Sequence, residues 1–211
     1  MTSPKDLIEG FHRFREQHFT DDDALYRQLV QEGQAPKILV VACCDSRVDP
    51  ALVLDCAPGD LFVIRNVANL VPPEESRSSG RHGTSAALEY GVSTLGVEHI
   101  IVLGHAHCGG IRALMSGQRT GETDSFINNW MRLAEDARAG AERDMAGATL
   151  EERERAIEQR AILGSLDNLR TFSSIRERIE QGTLTLHGWY FDMEHGLLLG
   201  YDEATGRFET L

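Results

Sequence analysis

Apolar residues recur at helical spacing near the start of the chain, at Leu7, Ile8, Phe11 and Phe14 and then at Leu25, Leu29 and Val30, on either side of the acidic run Asp21 to Asp23. The spacing predicts two amphipathic helices between Pro4 and Gly33. The pattern then changes. KILVVA at 37–42 and HIIVLG at 99–104 are short, almost continuously apolar and β-branched, as strands buried on both faces of a parallel sheet are. Leu61-Phe62-Val63-Ile64 reads as a third such strand. Between the Leu61 and His99 strands, Gly83 to Leu95 carries Ala86, Ala87, Tyr90 and Thr94 at helical intervals, which predicts a βαβ crossover and an α/β fold. Residues 122–181 are rich in Glu, Arg, Ala and Leu, and Ile157, Ile162, Leu166 and Leu169 mark the apolar stripe of a long helical stretch. Its charged positions, such as Glu154 with Glu158 and Arg155 with Gln159, read as a mixed face turned to water. LTLHGWYFD and GLLLGYD look like two strands around a turn at Met193 to Gly196.

A chain of 211 residues is the size of one large domain, and no linker or repeat divides it. With 33 acidic and 21 basic residues the net charge is −12, which repels phosphate backbones and anionic membrane surfaces, so neither nucleic acid nor membrane is an expected partner. The apolar content of 41% is enough for a packed core, and a compact soluble protein is expected. Cys43, Cys44, Cys56 and Cys108 lack the regular spacing of a disulfide scaffold, which suits a reducing compartment. The N-terminal stretch carries charges throughout and no signal-peptide run, and the expected location is the cytoplasm.

The cysteines gain meaning from their place. Cys43-Cys44-Asp45-Ser46-Arg47 ends the first predicted strand, and His105-Ala106-His107-Cys108-Gly109-Gly110 ends the strand at 99–104. Functional loops of open α/β sheets gather beyond the carboxyl ends of the strands, so the two clusters can share one crevice. Thiolate and imidazole are ligands that Zn²⁺ favours, and a catalytic zinc keeps three protein ligands and one open position; Cys43, His105 and Cys108 supply such a set. Ordinary buried cysteines and a satisfied histidine would explain either cluster alone, but not both so placed. A closed structural site needs a fourth ligand, for which Cys44, Asp45, Cys56 and His107 are candidates. Cys44 should point away from Cys43 if the strand geometry continues, and Cys56 should pack as a small hydrophobe. Gly109 and Gly110 start an expected helix through Ile111, Leu114 and Met115, with the backbone free to approach the metal and the helix N-terminus favouring a developing negative charge.

Taken in order, Cys-x-Asp-Ser-Arg at 43–47, Arg65-Asn66-Val67-Ala68-Asn69, Glu89-Tyr90, His-x-x-Cys-Gly-Gly at 105–110 and Leu186-His187-Gly188-Trp189 resemble the β-class carbonic anhydrases. The resemblance spans most of the chain. It implies a mainly parallel sheet, about four parallel strands plus an antiparallel edge strand, flanked by helices in a single domain over 1–211, with residues 1–35 a helical arm and 36–211 the α/β core. It implies one Zn²⁺ per chain on Cys43, His105 and Cys108, Asp45 and Arg47 as a catalytic dyad, and reversible hydration of CO2 to bicarbonate by zinc-hydroxide attack. Chemically, Asp45 can accept a hydrogen bond from the nucleophile while Arg47 holds the carboxylate. Relatives with a non-catalytic bicarbonate site use a Trp, an Arg and a Tyr where this sequence has Val40, Arg65 and Phe191, so that site is not expected. The plant-like subgroup lines its substrate pocket with residues matching Gln34, Phe62 and Tyr90, and an open enzyme with Asp45 paired to Arg47 is the expectation; Gly109 joins these as a substrate-binding position. Relatives assemble as dimers or tetramers with the pocket between chains, so a homodimer or homotetramer is implied.

Two competing readings remain at this level. A similar zinc site could hydrolyse carbonyl sulfide or carbon disulfide, and a zinc-stabilised interaction protein without turnover would fit had Asp45 or Arg47 been lost. One of His12, His18, His82, His99, His107, His187 and His195 could relay protons, though each taken singly reads as structural or surface.

Overall fold

A computed structural model describes residues 2–19, 25–74, 82–117 and 125–211. The acidic run Asp21 to Asp23 and the first residues of the long helical stretch, 122–124, lie outside them. The chain divides into two compact units, Met1–Ala35 and Pro36–Leu211.

The first unit holds α1 (Pro4–His18) and α2 (Leu25–Glu32). Ser3 caps α1 by accepting from the Asp6 N–H while the Asp6 carboxylate accepts from the Ser3 N–H, and Pro4 occupies the first turn, where its missing N–H costs nothing. Tyr26 stacks on Phe19 at 5.1 Å and meets Phe14 edge-on at 5.5 Å. No residue of either helix is buried.

The second unit is a six-stranded sheet with helices. Its strands are β1 (Ile38–Cys43), β2 (Leu61–Asn66), β3 (His99–His105), β4 (Thr185–Asp192), β5 (Leu197–Asp202) and β6 (Arg207–Thr210), in spatial order β2-β1-β3-β4-β5-β6. β1 to β4 are parallel, β5 pairs antiparallel with β4, and β6 pairs antiparallel with β5, which is one strand beyond the expected antiparallel edge strand. The helices are α3 (Pro50–Val53), α4 (Gly83–Glu89), α5 (Gly109–Ser116), α6 (Phe126–Met131), α7 (Glu135–Asp144), α8 (Leu150–Leu169) and α9 (Ser173–Glu180). The predicted helix at 83–95 forms, but its last turn, Tyr90–Thr94, widens to π geometry.

Side-chain alternation sorts the sheet into two faces. Leu39, Val41, Ile100 and Val102 pack with Ile162, Leu166 and Leu169 of α8, whereas Val40, Ala42, Ile101 and Leu103 pack with Trp189, Phe191 and Leu198. α8 approaches closely because two strand residues opposite it are glycines: a β-carbon on Gly104 would stand 2.6 Å from Ile162 Cδ1, and one on Gly188 would stand 3.0 Å from Ile162 Cγ2. One expectation for α8 fails. Glu154 and Glu158 are buried, at 7% and 4% exposure, and do not form a solvated face. Each has internal donors: Arg112 serves Glu154, and the Cys108 N–H and Tyr190 hydroxyl serve Glu158.

Candidate metal centre

β1 and β3 are parallel neighbours, so Cys43 and His105 arrive at the same carboxyl edge, and Cys108 follows on the loop into α5. One ligand atom each from Cys43, His105 and Cys108 lies within 4.8 Å of the other two, and all three residues are buried. His105 Nδ1 donates to the Ala106 carbonyl at 2.8 Å, which leaves Nε2 as the ring's lone-pair nitrogen. That buried Nε2 has no hydrogen-bond partner. Histidines that bind metals commonly have their other nitrogen tied to a carbonyl in this way.

The thiols point to the same chemistry. Cys43 is pulled down to about 4 by the Cys108 thiol hydrogen-bonding to it, against burial and with help from His105. The Cys43 thiolate, with burial, in turn pushes Cys108 strongly up. His105 is lowered by burial but raised more by Cys43. The buried pair thus holds one thiolate and one thiol, and Cys108 can give up its proton as well only with a cation between the sulfurs; the donor set fits Zn²⁺. No fourth His, Cys, Asp or Glu among the described residues joins the trio. Of the four candidates for a closed site, Cys44 is exposed, as its strand parity implies, and Cys56 Sγ lies 3.5 Å from the Leu54 carbonyl. Asp45 and His107 have other partners.

Arg47 holds Asp45 through three donors. Its backbone N–H and Nε reach Oδ1 at 3.0 and 2.9 Å, and Nη2 reaches Oδ2 at 2.6 Å. These bonds hold the Asp45 carboxyl well below the usual carboxylate range, against a smaller opposing effect of burial. The pairing expected of an open site is thus formed.

Further residues act on the site through its backbone. Arg65 donates from Nε to the Cys43 carbonyl at 2.9 Å, from Nη2 to the Asp45 carbonyl at 2.7 Å and from Nη1 to Asp49 at 2.9 Å. Ala68, at φ 62°, turns its N–H toward Cys43 Sγ at 3.4 Å. Glu158 accepts from the Cys108 N–H at 2.8 Å and from Tyr190 at 2.7 Å; burial raises its carboxyl, and these donors only partly offset that. Sequence reading missed Glu158, although its spacing with Ala161 and Ser165 already set it on the buried side of α8. Of the two glycines, Gly110 is the one that packing demands: a β-carbon there would lie 2.9 Å from Val67, whereas one on Gly109 meets open space.

The pocket residues are divided. Phe62 and Tyr90 stand together, with ring centroids 5.9 Å apart. Phe62 pairs with Leu39 in register, however, while Cys43 pairs with Asn66. Four residues of strand, roughly 13 Å, thus separate Phe62 from the edge that carries Cys43. Gln34 follows α2 in the N-terminal unit and is exposed. Among the other histidines, His99 and His187 face each other at 3.2 Å and His195 meets Asp192 at 3.0 Å. His12 and His18 belong to α1, and His82 precedes α4.

The profile of the carbonic anhydrase family matches residues 38–198, which hold Cys43, Asp45, Arg47, His105 and Cys108. The chain belongs to the β-class carbonic anhydrases. It is similar to the chloroplastic β carbonic anhydrase 5 of Arabidopsis thaliana, 42% identical over 89% of this chain and 61% of that protein, so it spans less than two thirds of that relative. It is also similar to a carbonic anhydrase of Pseudomonas aeruginosa, 38% identical over 98% of this chain and 91% of the other. The solved β-carbonic anhydrase CcaA matches with a TM-score of 0.90 at 36% identity, covering 98% of this chain and 91% of that one. A tetrameric β-carbonic anhydrase of Sordaria macrospora matches with a TM-score of 0.81 at 29% identity, covering 92% and 94%. This β-carbonic anhydrase chain has no described helix long and apolar enough to cross a membrane.

Proposed function

We propose that the chain is a zinc-dependent carbonic anhydrase that converts CO2 and water to bicarbonate and a proton. The observation that carries this is the buried trio Cys43, His105 and Cys108, with His105 Nε2 unpartnered and the Asp45–Arg47 pair beside it. Zn²⁺ held by the trio would supply the Lewis acidity that lets a water give up a proton near neutral pH and attack carbon. Asp45 does the orienting. Arg47 leaves Oδ2 a lone pair, which can accept the O–H of the attacking water and turn the water's own lone pair toward CO2. Gly109, without a side chain at the start of α5, leaves room for substrate and offers backbone N–H groups to the growing negative charge.

Gln34, Phe62 and Tyr90 complete the pocket in this reading, and they come from a second copy. Within one chain Phe62 sits too far down its strand, and the apolar side chains of α1, including Leu7, Ile8 and Phe11, at 58–64% exposure, suit an arm laid on a partner in a homodimer or homotetramer. The non-catalytic bicarbonate site is absent in this reading, because all three Arg65 nitrogens already brace the loop after β1. A donor set with two thiols must stay reduced to bind metal, which favours the cytoplasm as location.

Zinc content together with stopped-flow CO2 hydration tests the proposal, for the wild type and Cys43→Ser. One zinc per chain with rapid hydration is expected of the wild type, and loss of both from the variant. Zinc-loaded wild type that hydrates no CO2, or that hydrolyses carbonyl sulfide instead, overturns the function. Equal zinc in C43S overturns the ligand set.

A further inference from the structure

His107 stands between two of the metal-binding residues and is one of four non-glycine residues at positive φ among the described residues, at φ 58°. A residue with a β-carbon resists that conformation. What the turn achieves is the aim of one carbonyl: the His107 oxygen accepts from Arg47 Nη2 at 3.0 Å, and the same nitrogen donates to Asp45 Oδ2 at 2.6 Å. Arg47 Nη2 therefore ties the loop after β1 to the loop after β3.

The ring is held from outside. Arg112 Nη2 lies 2.7 Å from His107 Nδ1, and a guanidinium has only donors, so Nδ1 accepts. The ring proton is then on Nε2, which donates to Glu194 in the β4–β5 turn at 3.3 Å. Arg112 is itself anchored to the buried Glu154 of α8.

We infer that His107 is a positioning residue for the Asp45–Arg47 pair: its ring, gripped by Arg112 and Glu194, holds a left-handed peptide whose carbonyl fixes Arg47. The inference rests on the carbonic anhydrase reading of the site. With both nitrogens engaged, the imidazole is a handle on the backbone.

The test exploits the left-handed backbone, which glycine adopts freely and alanine resists. Both His107→Gly and His107→Ala remove the handle, but kcat/KM of H107A should fall about tenfold below that of H107G, equivalent to about 1.4 kcal/mol. The Arg47 Nε–H signal in NMR, assigned with Arg47→Lys, should exchange with water faster in H107A than in H107G. Glu194→Ala cuts the grip on Nε2 at an exposed position, and it should speed the same exchange while the protein stays folded and loaded with zinc. Equal kcat/KM and equal Arg47 exchange in H107G and H107A overturn the inference, as does recovery of both variants by added imidazole buffer, which marks proton carriage. Wild type with full zinc and no hydration overturns the functional reading instead, and the order of Arg47 exchange rates then still decides the clamp.

Discussion

Asp45 and Arg47 make a pH prediction whose sign is fixed. The Arg47 donors hold the Asp45 carboxyl below its ordinary value. A group depressed on folding contributes stability that is present above its unfolded value and lost as pH falls through its folded value. Arg47→Ala should therefore lower stability at pH 7, and the gap between variant and wild type should shrink once pH falls below the ordinary aspartate value of about 3.9. Arg47 is 52% exposed, so water screens the pair and the loss at pH 7 should be about 1 kcal/mol. Urea titrations of both proteins at pH 7 and below pH 4 check this; a gap that grows in acid contradicts it. At this scale the sequence discloses residues that act through their own side chains. Cys43, His105, Cys108 and Asp45 are visible because thiolate, imidazole and carboxylate are rare together at strand ends. The roles of Arg65, Ala68 and Glu158 are not, although the Arg65-to-Asn69 segment stands out, because those roles run through backbone N–H and carbonyl groups that no residue type advertises.

α8 carries the site's hidden support one turn away from its tightest packing. Ile162 presses on Gly104 and Gly188 of the sheet, and Glu158, four residues earlier, holds the Cys108 N–H. Gly104→Ala puts a β-carbon into Ile162, so it should cost about 2 kcal/mol and, by displacing α8, speed the transfer of zinc to a chelator. Ile162→Ala alone leaves a cavity worth about 3 kcal/mol. Combined, the two should cost at least about 1 kcal/mol less than their sum, and zinc release should slow again, because the second change makes room for the first. Urea midpoints and chelator kinetics of the three variants read this, and strict additivity would show that Ile162 does not transmit the strain. The elements themselves were legible where one physical requirement governed a run of residues: β1 and β3 are buried on both faces and read as unbroken β-branched stretches. β6 escaped because Arg207 to Thr210 is four residues long and largely exposed, so burial leaves no imprint on it. The charged side of α8 misled for the opposite reason, since its glutamates are buried against donors supplied by distant elements.

The whole molecule raises the question of where one active site ends and its copy begins. Cys43 leads the carboxyl edge of the sheet, while Phe62 and Tyr90 belong to the far half of β2 and the turn after α4. Motif order reveals both groups but not that one chain keeps them apart; only the strand register does. If a second copy supplies Phe62 and Tyr90, Cys43→Ser and Tyr90→Ala damage different halves of each composite site. Homodimers of either variant then have two damaged sites. A heterodimer, isolated by two different tags, gathers both lesions into one site and leaves the other intact, so it should regain about half the wild-type hydration rate. Zinc should follow the Tyr90→Ala chains alone, at one ion per heterodimer. If Tyr90 serves the trio of its own chain, the same heterodimer has one site without metal and one without Tyr90, and its rate stays at the mean of the two homodimers.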